Sequence, residues 1–298
     1  MKKLASHLLS ICTKGRPLDL SKLFLSLERQ SFAPEKILIV ESGNSFDTQS
    51  IVNRSSKIFD IQFEFIDVSM VKARNISIDF AKLNGFEFIH FVDDDTELDN
   101  NYFYWIDQVF QNYPESCAVG GHVSSPTPSK LLFPTKVIGK FLDGRVTPFG
   151  NGYSFYLDSG IKKVSWLAGC SMSFRISKLM DRRFDEDLEK IKSMGEDLHF
   201  TYLLARNCLV YRTAFAKLIH NQSPINRSSS SEWRLNAVKS KYHLYKTLNL
   251  PLPFLRIMVL ISLNVLGSLS RYLLFKNVEA RKSVKDYLLI FFRKKYFL

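Results

Sequence analysis

The 298-residue chain predicts an α/β fold with a mainly parallel, doubly wound central sheet and helices on both faces. Three observations lead there. Apolar runs of strand length alternate with segments of helical spacing over roughly the first hundred residues. Lys36-Ile37-Leu38-Ile39-Val40 and the run from Phe86 to Val92 are rich in β-branched or aromatic residues and read as buried strands. Polar and acidic residues collect where those runs end, and parallel sheets bind ligands beyond the carboxyl ends of their strands.

The elements follow in order. Residues 8–12 form a strand that ends in a turn over 13–17, and 18–30 form a helix, with Leu20, Leu23, Phe24 and Leu27 on one face. Strands are expected at 36–40 and 61–66, a helix at 71–83, the strand 86–92, and a helix at 102–110. The stretch 117–165 carries Gly and Pro clusters and reads as irregular. A strand over 164–174, a helix over 195–206 and a short strand ending at His220 complete an α/β domain of residues 1–225. Residues 228–231 are a polar loop, and residues 226–298 as a whole form a basic helical region, with one helix over 233–248.

Composition limits the function classes. Hydrophobic residues make up 46% and charged residues 23%, which is core-forming material and excludes general disorder. The net charge is +12, and from Arg271 onward eight basic residues face two acidic ones. Anionic lipid headgroups and nucleic acid both fit that charge alone. The apolar stretch 252–275 is interrupted by Arg256, Asn264 and Arg271, and its core 257–269 is shorter than a bilayer span. An in-plane amphipathic helix at an anionic membrane surface is therefore expected, with a strained span as the alternative and no nucleic-acid partner. The segment 288–292, with the basic and aromatic residues Arg293 to Phe297 after it, has the same character. The four cysteines are far apart, so reduced thiols in a cytoplasmic protein are expected. The N-terminal Met1-Lys2-Lys3 and apolar run imitate a leader, but polar interruptions make them a first strand.

The chemistry-bearing residues sit at predicted strand ends. Asp93, Asp94 and Asp95 close the strand 86–92, and three adjacent carboxylates repel one another unless a cation is held there. Alternation along a strand turns Asp93 and Asp95 one way and Asp94 the other. Oxygen ligands suit Mg²⁺ or Mn²⁺, which would neutralise a leaving diphosphate. Thr13 and Glu41 close two other strands. Glu196 and Asp197 open a helix, where acids also complement the helix dipole, and either could take a proton from a hydroxyl. His220 is a metal ligand or a surface histidine; Arg74 meets a base or phosphate, or is an ordinary helix arginine.

Together these segments resemble the family 2 glycosyltransferases, which have the GT-A fold. Thr13-Lys14-Gly15-Arg16-Pro17 is similar to the family's first-strand loop, with Gly15 where Asn is usual. Ile39-Val40-Glu41-Ser42-Gly43-Asn44-Ser45 resembles the base-reading loop, with Glu41 in place of Asp. Ala73-Arg74-Asn75, Phe91-Val92-Asp93-Asp94-Asp95, Gly169-Cys170-Ser171-Met172-Ser173-Phe174-Arg175, Phe184-Asp185-Glu186 and Gly195-Glu196-Asp197 follow in the family's order. The resemblance covers roughly residues 8–220. It implies a GT-A domain with C-terminal amphipathic helices, a nucleotide-sugar donor with UDP-sugar favoured, and an inverting single displacement. Asp95 is then the metal ligand, with His220 as a second. Thr13, Glu41, Arg74, Asp93 and Asp94 serve the nucleotide sugar, Asp197 is the general base, and Glu196 shapes the acceptor site.

Glu232-Trp233-Arg234 reverses the Arg-Trp pair of the processive synthases of that family. Transfer of one or a few sugars to a lipid-linked or surface-polysaccharide acceptor, on the cytoplasmic face of a membrane, is therefore expected. Two other readings compete. A sugar nucleotidyltransferase would carry a Gly-rich basic loop after the first strand, where 13–17 has one glycine. A non-catalytic basic membrane-binding protein would leave the aspartates unexplained.

Overall fold

A computed structural model describes residues 2–43, 46–126, 142–153, 160–225 and 228–292. Asn44 and Ser45 of the expected base-reading loop, and Arg293 to Phe297 of the basic tail, lie outside the described residues. The first half runs β1 (Lys2–Thr13), α1 (Pro17–Glu28), β2 (Phe32–Glu41), α2 (Phe46–Ser55), β3 (Ile61–Phe65), α3 (Met70–Leu83) and β4 (Phe88–Asp93). Next come β5 (Thr96–Leu98), α4 (Tyr102–Asn112), β6 (Ser116–Ser124), β7 (Ile161–Lys163), β8 (Met172–Arg175) and the short α5 (Ile176–Leu179). A 3-10 helix (Glu186–Ile191), α6 (Glu196–Ala205) and β9 (Leu209–His220) follow, then α7 (Ser230–Thr247), α8 (Pro253–Phe275) and α9 (Val278–Phe292).

The strands join in the order β3-β2-β1-β4-β8-β6-β9-β5, with β7 also beside β9. The first four are mutually parallel, because each is reached through a crossover helix. In register, Thr13 stands opposite Glu41 and Cys12 opposite Asp93. One sheet edge therefore collects all three polar strand ends. The other half is mixed: β8 is antiparallel to β4 and β6, whereas β6 and β9 are parallel. The apolar spacing of α1 is its core face, since Leu20, Leu23, Phe24 and Leu27 are buried in the cluster that also holds Leu9, Ile11, Ile37 and Ile39.

Several expectations are corrected. The strand expected over 164–174 exists only at Met172–Arg175; upstream, the Leu167 and Gly169 N–H groups donate to Thr201 Oγ1 and Asp197 Oδ2 instead of to a strand. The stretch 117–165 contains most of β6 and all of β7. Gly120 and Gly121 read as loop glycines, yet Gly121 is strand backbone pressed so close to the Ala216 carbonyl and the Tyr102 ring that a Cβ would collide with both. The cysteines are not all free. Cys117 and Cys208 form a disulfide, with Cα atoms 6.0 Å apart, while Cys12 and Cys170 are free and buried. Parallel pairing of β6 with β9 brings together two thiols 91 residues apart, which spacing alone does not reveal.

The chain divides into two compact units. One comprises Met1–Arg145, Gly152–Glu186 and Glu196–Asn226; the other comprises Val146–Asn151, Asp187–Gly195 and Arg227–Leu298. In the second, α7, α8 and α9 pack around Val238, Tyr245, Ile257, Leu260, Ile261, Tyr287 and Ile290. The helix α8 is longer than its apolar core suggested. It is 23 residues long and contains an 18-residue window with a mean hydropathy of 1.7, long and apolar enough to cross a membrane by length and composition. Its polar residues do not break it because they bond within it: Asn264 donates to the Leu260 carbonyl at 2.9 Å and Ser262 to that of Met258 at 2.9 Å.

A buried histidine pair ties β1 to β4. His7 Nδ1 lies 2.9 Å from His90 Nε2, and His90 Nδ1 lies 2.8 Å from Ser173 Oγ. Burial, helped by the Arg175 charge, pushes His7 down to about 4; burial and His7 push His90 well below its usual value. Asp107, 3.5 Å from His7, is itself raised by burial. With folded values below unfolded ones, the unfolded chain binds more protons between about pH 6.5 and 4. The histidine pair's contribution to stability is expected to fall as pH drops through that window, opposite in sign to that of a carboxyl raised by burial such as Asp94. Urea midpoints of the parent measured relative to His7→Gln should therefore decline from pH 7.5 to 4.5, and an unchanged difference would contradict this.

Candidate active site

Asp93 is the last residue of β4, and Asp94 and Asp95 form the turn that follows it, where strand alternation no longer applies. Asp94 turns toward the first-strand loop, where the Thr13 hydroxyl donates to Oδ2 at 2.6 Å and Arg16 Nη1 approaches Oδ1 at 3.1 Å. Burial still pushes the Asp94 carboxyl up to about 7, against the Arg16 charge and the Thr13 hydrogen bond. Asp95 meets His220 and Ser223: Oδ1 lies 3.0 Å from His220 Nε2, and Oδ2 accepts the Ser223 N–H at 2.7 Å while lying 3.9 Å from Arg16 Nη1. Burial raises this group too, but the His220 hydrogen bond and charge, then the Ser223 N–H, outweigh it and hold Asp95 at about 2. Asp93 Oδ2 is 3.8 Å from the same His220 nitrogen. Burial is the largest influence on Asp93 and raises it, with Arg74 and His220 opposing.

Arg74 joins this edge to the start of α6. Nη1 donates to Glu196 Oε1 at 2.6 Å, and Nη2 donates to Asp93 Oδ1 at 3.4 Å and to the Gly169 carbonyl at 3.3 Å. The guanidinium also lies over the Phe91 and Phe184 rings, 5.8 and 5.5 Å from their centroids. Burial works against its charge, but Glu196 and Asp93 prevail and keep it protonated. Gly169 completes the link by donating its N–H to Asp197 Oδ2 at 2.8 Å. A Cβ there would lie 3.1 Å from Arg74 Nη2 and 3.3 Å from the Asp197 carboxylate. Asp197 Oδ1 accepts the Leu198 N–H at 2.7 Å, so each of its oxygens keeps a second lone pair.

Glu41 clamps two loops. Its Oε1 accepts the Gly15 N–H at 2.9 Å and the Gly43 N–H at 2.6 Å. Its Oε2 is buried and, among the described residues, has no hydrogen-bond partner. The nine residues expected at the site thus stand on one sheet edge and the adjoining α3 and α6.

Two carboxylates and an imidazole are a donor set suited to Mn²⁺ or Mg²⁺. Asp95 and His220 would hold the ion, with Asp93 beside them. Cys170 Sγ lies within 4.8 Å of donor atoms of Asp93 and His220. Burial, reinforced by the Asp93 charge, pushes that thiol well above its usual value.

Other residues build the site without having been singled out for it. Arg16 donates to the Ile225 carbonyl at 2.7 and 3.1 Å while pairing with Asp94. Asn75 donates to the Phe184 carbonyl and to Glu186 Oε1, both at 3.0 Å, and accepts the Phe184 N–H at 2.8 Å. The Ala73-Arg74-Asn75 and Phe184-Asp185-Glu186 motifs are therefore two halves of one lock. Their shared position in the motif order was the available signal; the pairing was not.

With this architecture and site, the molecule has the GT-A fold: a mixed α/β core with a central sheet flanked by helices, followed by an apolar C-terminal helix. No protein-family model matches the chain, and no curated protein sequence matches it. Solved structures do. Residues 1–349 of S. aureus TarS superpose with a TM-score of 0.58 at 16% identity, over 99% of this chain and 82% of that one. A mannosyltransferase from Pyrobaculum calidifontis, bound to GDP-Man and Mn²⁺, gives 0.58 at 12% identity over 98% and 81%. GalNAc-T7, bound to UDP, GalNAc and Mn²⁺, gives 0.55 at 12% over 80% and 47%. TarS has also been crystallised with UDP-GlcNAc. At these identities what is shared is the fold.

Arg74 sets the expected cost of disturbing the site. Arg74→Met leaves Glu196 and Asp93 without their cation, and urea unfolding should show a loss of about 3–5 kcal/mol. Adding Glu196→Gln should recover part of it; equal stability of Arg74→Met and the parent protein would contradict the described pairing.

Proposed function

We propose that the chain is a family 2-type glycosyltransferase that transfers a sugar, with inversion, from a nucleoside diphosphate donor to an acceptor hydroxyl. The observation that carries this is the Arg74 bridge, which sets the aspartate cluster and the Glu196-Asp197 pair around one site. The fold neighbours support the donor class, since they were solved with UDP-GlcNAc, GDP-Man or UDP, and two of them contain Mn²⁺. A UDP-sugar is the favoured donor. The partnerless Glu41 Oε2 suits a ring N–H of the base.

In this reading Asp95 and His220 hold a divalent ion, Mn²⁺ or Mg²⁺, which when bound neutralises charge on the diphosphate. Thr13 and Arg16 fix Asp94, and Arg74 fixes Asp93, on the donor side. Asp197 takes the proton of the acceptor hydroxyl. That oxygen bonds to the anomeric carbon from the face opposite the diphosphate, and the electron pair of the breaking C–O bond leaves with the diphosphate. Glu196, held by Arg74, shapes the acceptor side. The acceptor is a lipid-linked or surface-polysaccharide glycan, reached from the cytoplasmic face of a membrane that the basic C-terminal region contacts peripherally.

The test uses purified protein. UDP with Mn²⁺ should raise the unfolding temperature more than either alone, and Asp95→Asn should lose the joint increment. Asp197→Asn should keep it while transfer falls about 10²–10⁴-fold. Silence with both uridine and guanosine diphosphates, or full transfer by Asp197→Asn, would overturn these assignments.

A further inference from the structure

The second unit presents more apolar surface than a free helical hairpin can leave in water. Along α8, Leu252, Leu255, Val259, Leu263, Leu266, Leu269 and Leu273 are all exposed. They recur every three or four residues and form one continuous stripe. The opposite face carries Ile257, Leu260 and Ile261, which are buried in the cluster with α7 and α9. The hairpin tip adds Leu274 and Val278, exposed to 73% and 80%. Between the helices, Ser262, Val265, Leu266, Leu288, Phe291 and Phe292 line a cavity of about 260 Å³ whose walls are almost wholly apolar.

We propose that the α8–α9 hairpin lies flat in one leaflet of an anionic bilayer, with the α8 stripe immersed and a lipid hydrocarbon chain seated in that groove. Charge selects this occupant. Arg271, Lys276, Arg281, Lys282 and Lys285 surround the tip and the start of α9, and among the described residues no carboxylate pairs with Lys276, Arg281 or Lys285. A second copy brings only the same excess of positive charge, whereas anionic headgroups complement these cations.

The packing favours an in-plane hairpin over a span. Arg234 of α7 pairs with Asp286 of α9 at 2.5 Å and with Glu279 at 3.3 Å. A membrane-crossing α8 would draw α7 into hydrocarbon together with Lys239, Lys241 and Lys246, at high cost. An in-plane hairpin keeps those charges in water and still buries the stripe.

This deepens the membrane-surface part of the proposed function and is independent of the transfer chemistry, so vesicle binding without transfer, or transfer without vesicle binding, separates the two. The experiment floats the full chain with vesicles of phosphatidylcholine containing phosphatidylglycerol, and with phosphatidylcholine alone. At low salt the anionic vesicles should bind the protein, and part of that binding should persist in about 1 M NaCl, where the Debye length is about 3 Å. The exposed double variant Leu263→Glu/Leu266→Glu should bind at least tenfold less at high salt with its unfolding temperature unchanged. Lys276→Glu/Arg281→Glu should lose mainly the salt-sensitive part. Absence of vesicle binding, or binding fully released by salt and unaltered in the leucine variant, would overturn the proposal. So would self-association of the parent chain that the leucine variant abolishes, which would make a second copy the occupant. Proteolysis of the segment after α9 only from the far side of the membrane would also overturn it, by showing a span.

Discussion

Arg74 is the constraint on which the site depends. A guanidinium buried within α3 is costly unless its donors are met, and here Nη1 and Nη2 are met by three segments far apart in the chain: Asp93 of β4, the Gly169 carbonyl before β8, and Glu196 at the start of α6. Each contact fixes something the others need. The Asp93 contact anchors one end of the aspartate cluster. The Gly169 contact fixes a glycine whose N–H orients Asp197. The Glu196 contact sets the first turn of α6. Removing the cation would leave two carboxylates facing each other with nothing between them, so charge balance and geometry have the same origin.

The sheet makes the arrangement possible. Parallel pairing of β2, β1 and β4 delivers Glu41, Thr13 and Asp93 to one edge in register. The turn after β4 then presents Asp94 to Thr13 and Arg16, and Asp93 and Asp95 to His220. Three carboxylates coexist there against a shared set of partners, Arg16, Arg74 and His220. The long β9 completes the set, since His220 is its last residue and Ser223, just beyond it, donates to Asp95.

What could be read from the residues alone is what depends on local periodicity. The core face of α1 and the parallel first half follow from spacing of 3.6 or 2 and are present as expected; alternation does not extend to Asp94 and Asp95, because β4 ends at Asp93 and they form a turn. What could not be read depends on pairing across the sheet. Asn75 and Phe184 are locked together over 109 residues, Cys117 meets Cys208 over 91, and Arg16 closes on Asp94 and Ile225. No periodicity encodes such contacts; they follow from strand order. The glycine-bearing β6 is obscured for the opposite reason, because close backbone packing there selects glycine, which in sequence reads as loop.

The central claim is that the carboxylates gathered around Arg74 serve a metal-dependent sugar transfer. The most direct measurement is release of nucleoside diphosphate from a panel of sugar nucleotides by the purified chain supplied with membrane lipid, with and without chelator. The expected result is turnover of one sugar nucleotide that stops on chelation and returns with Mn²⁺ or Mg²⁺. Release that is absent across the panel, or that is indifferent to chelation, would contradict it.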